Sequence, residues 1–335
     1  MRIAIVSDAW YPQINGVVRT LTTLERELAN LDHTAKYLVV SGRRSFPLPG
    51  YKEIRLALTT PSSLGAEIRE FAPDAIHLAT EGSLGIAARA WCVRHSLSFT
   101  TGFHTRYPEF AEAIYGVPGV KSLLYKGLEW FHRPSKGIMV PTPSIARALS
   151  ERRFNNLRVW SRGVNTKLFR EYGREALKLS RPIFLCAGRV SAEKGLEDFL
   201  SLDLPGTKVV VGDGPLKLYY QNKYPRVFFT GYLHNGEYAR VLSAADVFVF
   251  PSRNDTFGLV MLEALASGVP VAAFPVPGPI DLIQEGQCGS LNTDLGQAAI
   301  QALNVDRHCC RMHASAFSWT KVAAQFVSYL VPCEL

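Results

Sequence analysis

The stretch NDTFGLVMLEALASGVPV, Asn254 to Val271, places two carboxylates, Asp255 and Glu263, eight positions apart. The residues between them are apolar except for Thr256 and Gly258. A carboxylate in such a block accepts hydrogen bonds well but is costly to bury without a partner. Glu263 falls two turns into the helix that this segment predicts, and the hydroxyls of a ribose would repay its desolvation. Asp255 falls just before that helix. There a carboxylate either caps free amides or faces the group beyond phosphates held at the helix N-terminus.

Cations suited to phosphates occur in AGRVSAEKGLEDFL, where a strand-like run ends at Ala187 and Arg189 and Lys194 follow, five positions apart. A helix is expected to begin near Lys194 and Gly195. Two cations on a strand-to-helix loop can grip both phosphates of a diphosphate, and a solvated loop with surface charges is the plain alternative. VVGDGP, Val210 to Pro215, carries Gly212 but lacks the third glycine of the dinucleotide fingerprint, which argues against a nicotinamide site. In VSDAWYPQINGVVRTL a loop with Pro12, Asn15 and Gly16 launches a helix, and Gly16 would let a backbone amide approach an anion closely. TGFHTRYPEF sets His104, Arg106 and Tyr107 at a strand exit. A structural histidine is the ordinary reading, and its place at the mouth of a cleft favours a functional one.

The elements that would position these residues are short apolar runs alternating with amphipathic segments. RIAIVSD, KYLVVSG, DAIHLAT, LSFTTGF and KGIMVPT form one series, and RPIFLCAGRV, TKVVVGDGP, VFFTGYL, DVFVFPS and PVAAFPV form a second. The runs are rich in β-branched residues and not period-2, as expected of buried parallel strands. Two strand–helix series imply two doubly wound α/β domains, here 1–165 and 166–335, with a polar, irregular break at about residues 163–182. Ligands of such sheets bind beyond the carboxyl ends of the strands, where the candidate residues fall.

The chain has 335 residues, 47% hydrophobic and 20% charged, with no biased tract, which is the composition of a globular protein. No apolar run reaches the roughly 18 residues a membrane span needs. The N-terminus reads as a first strand, not a signal peptide. Six cysteines without a CxxC pair point to a reducing cytoplasm. HCCRMH, His308 to His313, matches no familiar zinc spacing. Residues 1–170 hold 23 Lys and Arg against 13 Asp and Glu, and residues 171–335 hold 14 against 16. The basic half suggests a polyanionic partner, an anionic membrane or nucleic acid. GVKSLLYKGLEWFHRPSKG mixes Lys121, Lys126, Arg133 and Lys136 with Leu123, Leu124, Leu128, Trp130 and Phe131, which suits an anionic lipid surface. A core helix with a basic edge is the alternative. No nucleic-acid motif is present.

Taken together, YPQINGVVRTL, FHTRYPEF, RGVNTKLF, GRVSAEKG, VGDGP, GYL and DTFGLVMLEALASGVPVAA resemble glycosyltransferase family 4 over most of the chain. These are retaining enzymes of GT-B fold, with two Rossmann-like domains facing across a cleft, and they include bacterial lipid-acting mannosyl- and glucosyltransferases. The last segment is similar to the family's E-x7-E signature, with Asp255 at the first glutamate. The resemblance implies that Arg189 and Lys194 hold the donor diphosphate, Glu263 the ribose and Asp255 the sugar hydroxyls. Backbone groups at Phe257, Gly258 and Leu259 would lie beside the phosphates and sugar. His104 would contact the sugar from the other domain, Gly16 would bring its amide to the diphosphate, and Leu233 would offer backbone contacts to the base. Gly212 would belong to the donor side, and Arg106 and Tyr107 to the acceptor side.

The expectation is a metal-independent, cofactor-free hexosyltransferase, peripheral on the inner face of the cytoplasmic membrane, with a nucleotide sugar as co-substrate and a lipid or lipid-linked acceptor. GDP-mannose is the first donor choice, followed by UDP-glucose or UDP-glucuronate. A non-catalytic nucleotide-sugar-binding relative and a GT-B epimerase are the rival readings.

Overall fold

Successive residues of β1 (Arg2–Ser7) leave on opposite faces, Ile3 and Ile5 into one apolar cluster and Ala4 and Val6 into another. A strand buried on both faces explains why the apolar runs read as continuous. The computed structural model describes residues 1–48, 51–115 and 117–334. After β1 the first unit continues with β2 (Thr34–Val39), β3 (Ser45–Leu48), β4 (Tyr51–Ala57), β5 (Ala75–Leu78), β6 (Thr100–Gly102), β7 (Ile138–Val140) and β8 (Leu157–Val159). Six of these strands form a parallel sheet in the order β2-β1-β5-β6-β7-β8, while β3 and β4 pair as a separate antiparallel hairpin. The order reverses at β1, between β2 and β5.

The second unit holds β9 (Ile183–Ala187), β10 (Thr207–Val211), β11 (Phe228–Gly231), β12 (Val247–Phe250), β13 (Val271–Ala273) and β14 (Gly289–Leu291). Their order, β11-β10-β9-β12-β13-β14, is the doubly wound arrangement whose switch point lies between its first and fourth strands. Here too the core has two faces, with Ile183 and Leu185 on one and Phe184 and Cys186 on the other. The register pairs Phe248 with Leu185, so β9 and β12 end level and the loops that follow leave the sheet side by side.

The division expected at 1–165 and 166–335 differs from the observed one. The boundary lies at Gly163, a short segment beginning at Glu109 groups with the second unit, and the chain from Trp319 onward belongs to the first. The cause is apolar burial. The helix Trp319–Tyr329 seats Val322, Ala323 and Phe326 in the cluster that holds Ile3, Ile5, Leu21 and Leu24. Trp160 Nε1 donates to the Val322 carbonyl at 3.0 Å, and Arg158 donates to the Tyr329 carbonyl at 2.7 Å. Among the described residues, no helix is long and apolar enough to cross a membrane.

Candidate active site

In the second unit the switch point assembles an acid and a base from two loops. β9 ends at Ala187, and the chain turns through Gly188 to a half-buried Arg189. A short 3-10 turn, Ala192–Lys194, follows, and the helix expected near Lys194 and Gly195 begins at Leu196 with Gly195 as its N-cap, running only to Leu200. Gly212, at the exit of β10, faces this turn backbone to backbone. Its φ is +138°, and a Cβ there would lie 1.9 Å from the Gly188 carbonyl oxygen. Only glycine lets the two strand exits close on each other, so the position assigned to donor binding has a packing reason of its own.

Lys194 Nζ donates to Asp255 Oδ1 at 2.6 Å, with the side chains 32% and 18% exposed. Asp255 reaches this position from the loop after β12. It does not cap the helix Leu259–Ala266, whose N-cap is Gly258 with φ +79° and no side-chain bond. Phe257 turns its ring into the core at 5% exposure, so a ligand here would meet its backbone, followed by that of Gly258 and Leu259. Glu263 lies in the same helix at 4% exposure, between Leu262 and Ala264, which are fully buried. A helix buried on all sides that retains one carboxylate keeps it against a considerable desolvation cost. Leu233 lies elsewhere, lining an open groove of about 380 Å³ with Leu177, Phe228, Thr230 and Val241, and none of Arg189, Lys194, Asp255 or Glu263 borders it.

In the first unit the polar residues are held more tightly. Asp8, just after β1, is 5% exposed. It accepts from Thr80 Oγ1 at 3.0 Å, Ser83 Oγ at 3.1 Å, and the amides of Leu84 at 2.9 Å and Gly85 at 3.3 Å. It thereby caps the helix Ser83–Arg94 from across the switch point. Burial outweighs these four bonds and holds its carboxyl above the ordinary aspartate range. Gly16 opens the helix Gly16–Asn30 in an exposed position, and Asn15 Oδ1 accepts from Val17 and Val18 at 3.0 Å each.

His104 differs from the expectation of a side chain displayed at a loop mouth, being 8% exposed. Its Nδ1 lies 2.9 Å from Arg162 Nη2, and Arg162 is itself 4% exposed. A guanidinium only donates, so Nδ1 accepts and the neutral ring carries its proton on Nε2. Burial, with Arg162 second, pushes the imidazole well below its ordinary pKa. Arg162 is anchored by donating to the carbonyls of Trp160 at 2.7 Å and Ser161 at 3.0 Å, and burial lowers its own pKa to about 9. The His104 ring packs on Gly102, where a Cβ would come within 2.5 Å of Nε2. Arg106 is half-buried and Tyr107 is 40% exposed at the start of the helix Tyr107–Tyr115.

Sequence reasoning passed over Asp8 and Arg162, although both lie in motifs it had singled out. Their partners are 72–77 and 58 positions away, and no local pattern announces them. The one available signal was an acid directly after a buried strand.

The basic helix Val120–His132 buries Tyr125, Leu128, Phe131 and His132. Leu128 and Phe131 are therefore core residues, whereas Leu123 and Trp130 are 68% and 52% exposed. Lys126, Arg133 and Lys136 are exposed as well, and Lys121 is half-buried. Leu123, Lys126, Trp130 and Arg133 recur at helical spacing on one face. Arg89 stacks 3.8 Å from the Trp130 ring centroid and donates to the carbonyls of Trp130 and Phe131, which fixes the indole in place. Among the described residues, no group of three His, Cys, Asp or Glu side chains could hold a metal ion. In HCCRMH, Cys310 is buried and His313 Nε2 is engaged with the Leu282 carbonyl at 2.8 Å.

Comparison with known proteins places the two units separately and together. Residues 14–168 match the family description "Glycosyltransferase Family 4", and residues 181–305 match "Glycosyl transferases group 1". A sulfoquinovosyl transferase of Arabidopsis thaliana is 33% identical over 75% of this chain, which spans about half that relative's length, 52%. A GDP-mannose-dependent alpha-mannosyltransferase of Corynebacterium glutamicum is 30% identical, covering 96% of this chain and 85% of the relative. An alpha-monoglucosyldiacylglycerol synthase of Streptococcus pneumoniae is 29% identical over 90% of this chain and 78% of its own length. Among solved structures, sucrose-phosphate synthase from Thermosynechococcus elongatus aligns with a TM-score of 0.78 at 21% identity, covering 98% of this chain and 97% of that one, a likeness of fold.

Proposed function

The chain belongs to glycosyltransferase family 4 and has its GT-B fold, and on that premise we propose that it transfers a hexose from a nucleoside diphosphate sugar to a lipid or lipid-linked acceptor. The observation that carries this reading is the second unit's switch point. Arg189 and Lys194 leave one strand, Asp255 leaves its neighbour, and Glu263 is buried about one turn along the helix that follows. GDP-mannose is the proposed donor, on the strength of the mannosyltransferase relative, with UDP-glucose as the alternative. The lipid acceptor is supported by the diacylglycerol-glycosylating relative.

In this reading an acceptor hydroxyl oxygen bonds to the anomeric carbon as the bond from that carbon to the phosphate oxygen breaks. Charge grows on the departing diphosphate. Arg189, Lys194 and the N-terminus of the helix Leu259–Ala266 offset it, so the chemistry asks for no bound metal. Glu263 accepts from the ribose, and Asp255 accepts from the hexose. His104 presents a fixed, neutral ring and cannot take a proton on Nδ1, which Arg162 occupies. By resemblance to the retaining family, the acceptor's proton passes in this reading to a phosphate oxygen of the leaving group, on the face it departs from, with configuration retained.

The acceptor also sets the location. The face with Leu123, Lys126, Trp130 and Arg133 offers an apolar anchor and cations to an anionic leaflet, and Arg106 and Tyr107 are assigned to the acceptor side. The test is incubation of the protein with GDP-mannose or UDP-glucose and vesicles containing diacylglycerol and anionic lipid, with EDTA present, followed by mass spectrometry. The expected product is a lipid heavier by one hexose. Free hexose as the main product would favour the epimerase or a hydrolase instead.

A further inference from the structure

We propose that Asp255 makes the second unit discriminate between an intact nucleotide sugar and a spent nucleoside diphosphate, by competing with the phosphates for Lys194. The inference rests on the reading of this unit as the donor site. Its basis is the 2.6 Å bond between Lys194 Nζ and Asp255 Oδ1. Among the described residues, neither side chain makes another hydrogen bond or ion pair, and neither serves the fold as a cap. Both remain partly open to solvent, at 32% and 18%. The pair therefore ties up the cation needed at the strand exit and can be exchanged without unfolding anything.

A diphosphate that takes Lys194 leaves the carboxylate of Asp255 beside it without its counter-charge. If a hexose is attached, its hydroxyls donate to that carboxylate, and the exchange replaces one charge-assisted bond by others of the same kind. A bare diphosphate brings no such donor, so the stranded carboxylate opposes it. Once the sugar has moved to the acceptor, Asp255 recaptures Lys194 and weakens the hold on the product. The shared cation thus favours donor over spent nucleotide and assists product release.

Titration calorimetry on the full chain tests this with GDP and UDP as probes, beside GDP-mannose and UDP-glucose. Asp255→Asn should bind the nucleoside diphosphate about two- to fivefold tighter than the wild type, the scale of a partly exposed ion pair, while its preference for donor over diphosphate falls. In a Lys194→Met background the same substitution should change diphosphate affinity little, because there is no cation left to release. Asp255→Ser serves as a second variant, with a melting curve as the check on folding. Unchanged or weaker diphosphate binding in Asp255→Asn overturns the proposal. So does tightening that persists undiminished with Lys194→Met, which would indicate simple repulsion. A wild type that binds none of these nucleotides and nucleotide sugars overturns the donor-site reading itself, an outcome distinct from the other two.

Discussion

The two units share a sheet architecture and treat polar residues in opposite ways. The first locks them away. Asp8 is held by four donors, His104 by a buried guanidinium, and every histidine that is buried among the described residues lies in this unit. The second keeps its cation and acid partly open and bonded to each other, in loops that leave a level pair of strands. The polar groups of the first unit are preorganised, and the pair in the second can be exchanged, as the proposed binding and release of a charged ligand there would require.

The largest effect that could break this contrast is on stability. Phe326→Ala should destabilise the first unit by about 3–5 kcal/mol, the range for emptying a buried aromatic site, because Phe326 is fully buried against Trp160 and His77. Hydrogen exchange should show the loss in β1 and the helix Gly16–Asn30 and not in the second sheet. Equal loss of protection in β9 to β14 would mean that the chain end does not belong to the first unit alone.

Next in size is catalysis in the second unit. Arg189→Ala or Lys194→Ala should raise the barrier by about 2.7–4 kcal/mol, a hundred- to thousandfold in kcat, as for loss of one preorganised charge-stabilising group. Melting temperature should barely change, since neither side chain supports the core. Glu263→Gln sharpens the comparison within one helix. It should weaken diphosphate binding by about 1.5–3 kcal/mol, the value of hydrogen bonds to a charged group, whereas Asp255→Asn strengthens it. Calorimetry that moved both variants in the same direction would refute this division of labour.

Much of this was legible beforehand, for definite physical reasons. The runs that became β1 and β9 are buried on both faces, so their sequences are continuous and apolar. The strands β8 (LRV) and β14 (GSL) escaped notice, since each is a three-residue edge strand with little to bury. Lys194 and Asp255 were found as individuals because each follows a strand. Their bond was not, since 61 residues separate them and only the strand order brings them together. The chain end was misplaced for the same reason, its partners Ile3 and Leu24 lying at the opposite end of the sequence.

A smaller effect concerns pH. His77 is fully buried with its pKa lowered to about 3, chiefly by burial, and His104 is lowered too. Below the unfolded value near 6.5 the unfolded chain takes up protons that the folded one refuses. His77 then removes up to about 1.4 kcal/mol of stability per pH unit as pH falls toward 3, and His104 acts in the same direction. Asp8, raised in the fold, works in the opposite sense at the acid end. Amide protection should accordingly fall in the first sheet between pH 6.5 and 5 and hold in the second. Smallest is the membrane effect, about 1 kcal/mol for each basic residue near the surface. Lys126→Glu with Arg133→Glu should release the protein from anionic vesicles in co-sedimentation without altering diphosphate affinity.

The most direct test of the central claim is a paired product assay with GDP-mannose or UDP-glucose and diacylglycerol-containing anionic vesicles, counting released nucleoside diphosphate and hexosylated lipid in the same reaction. The account predicts equal amounts of the two in the wild type, and a fall of both together by at least about a hundredfold in Lys194→Ala. Nucleoside diphosphate release without hexosylated lipid, or undiminished transfer in Lys194→Ala, would contradict it.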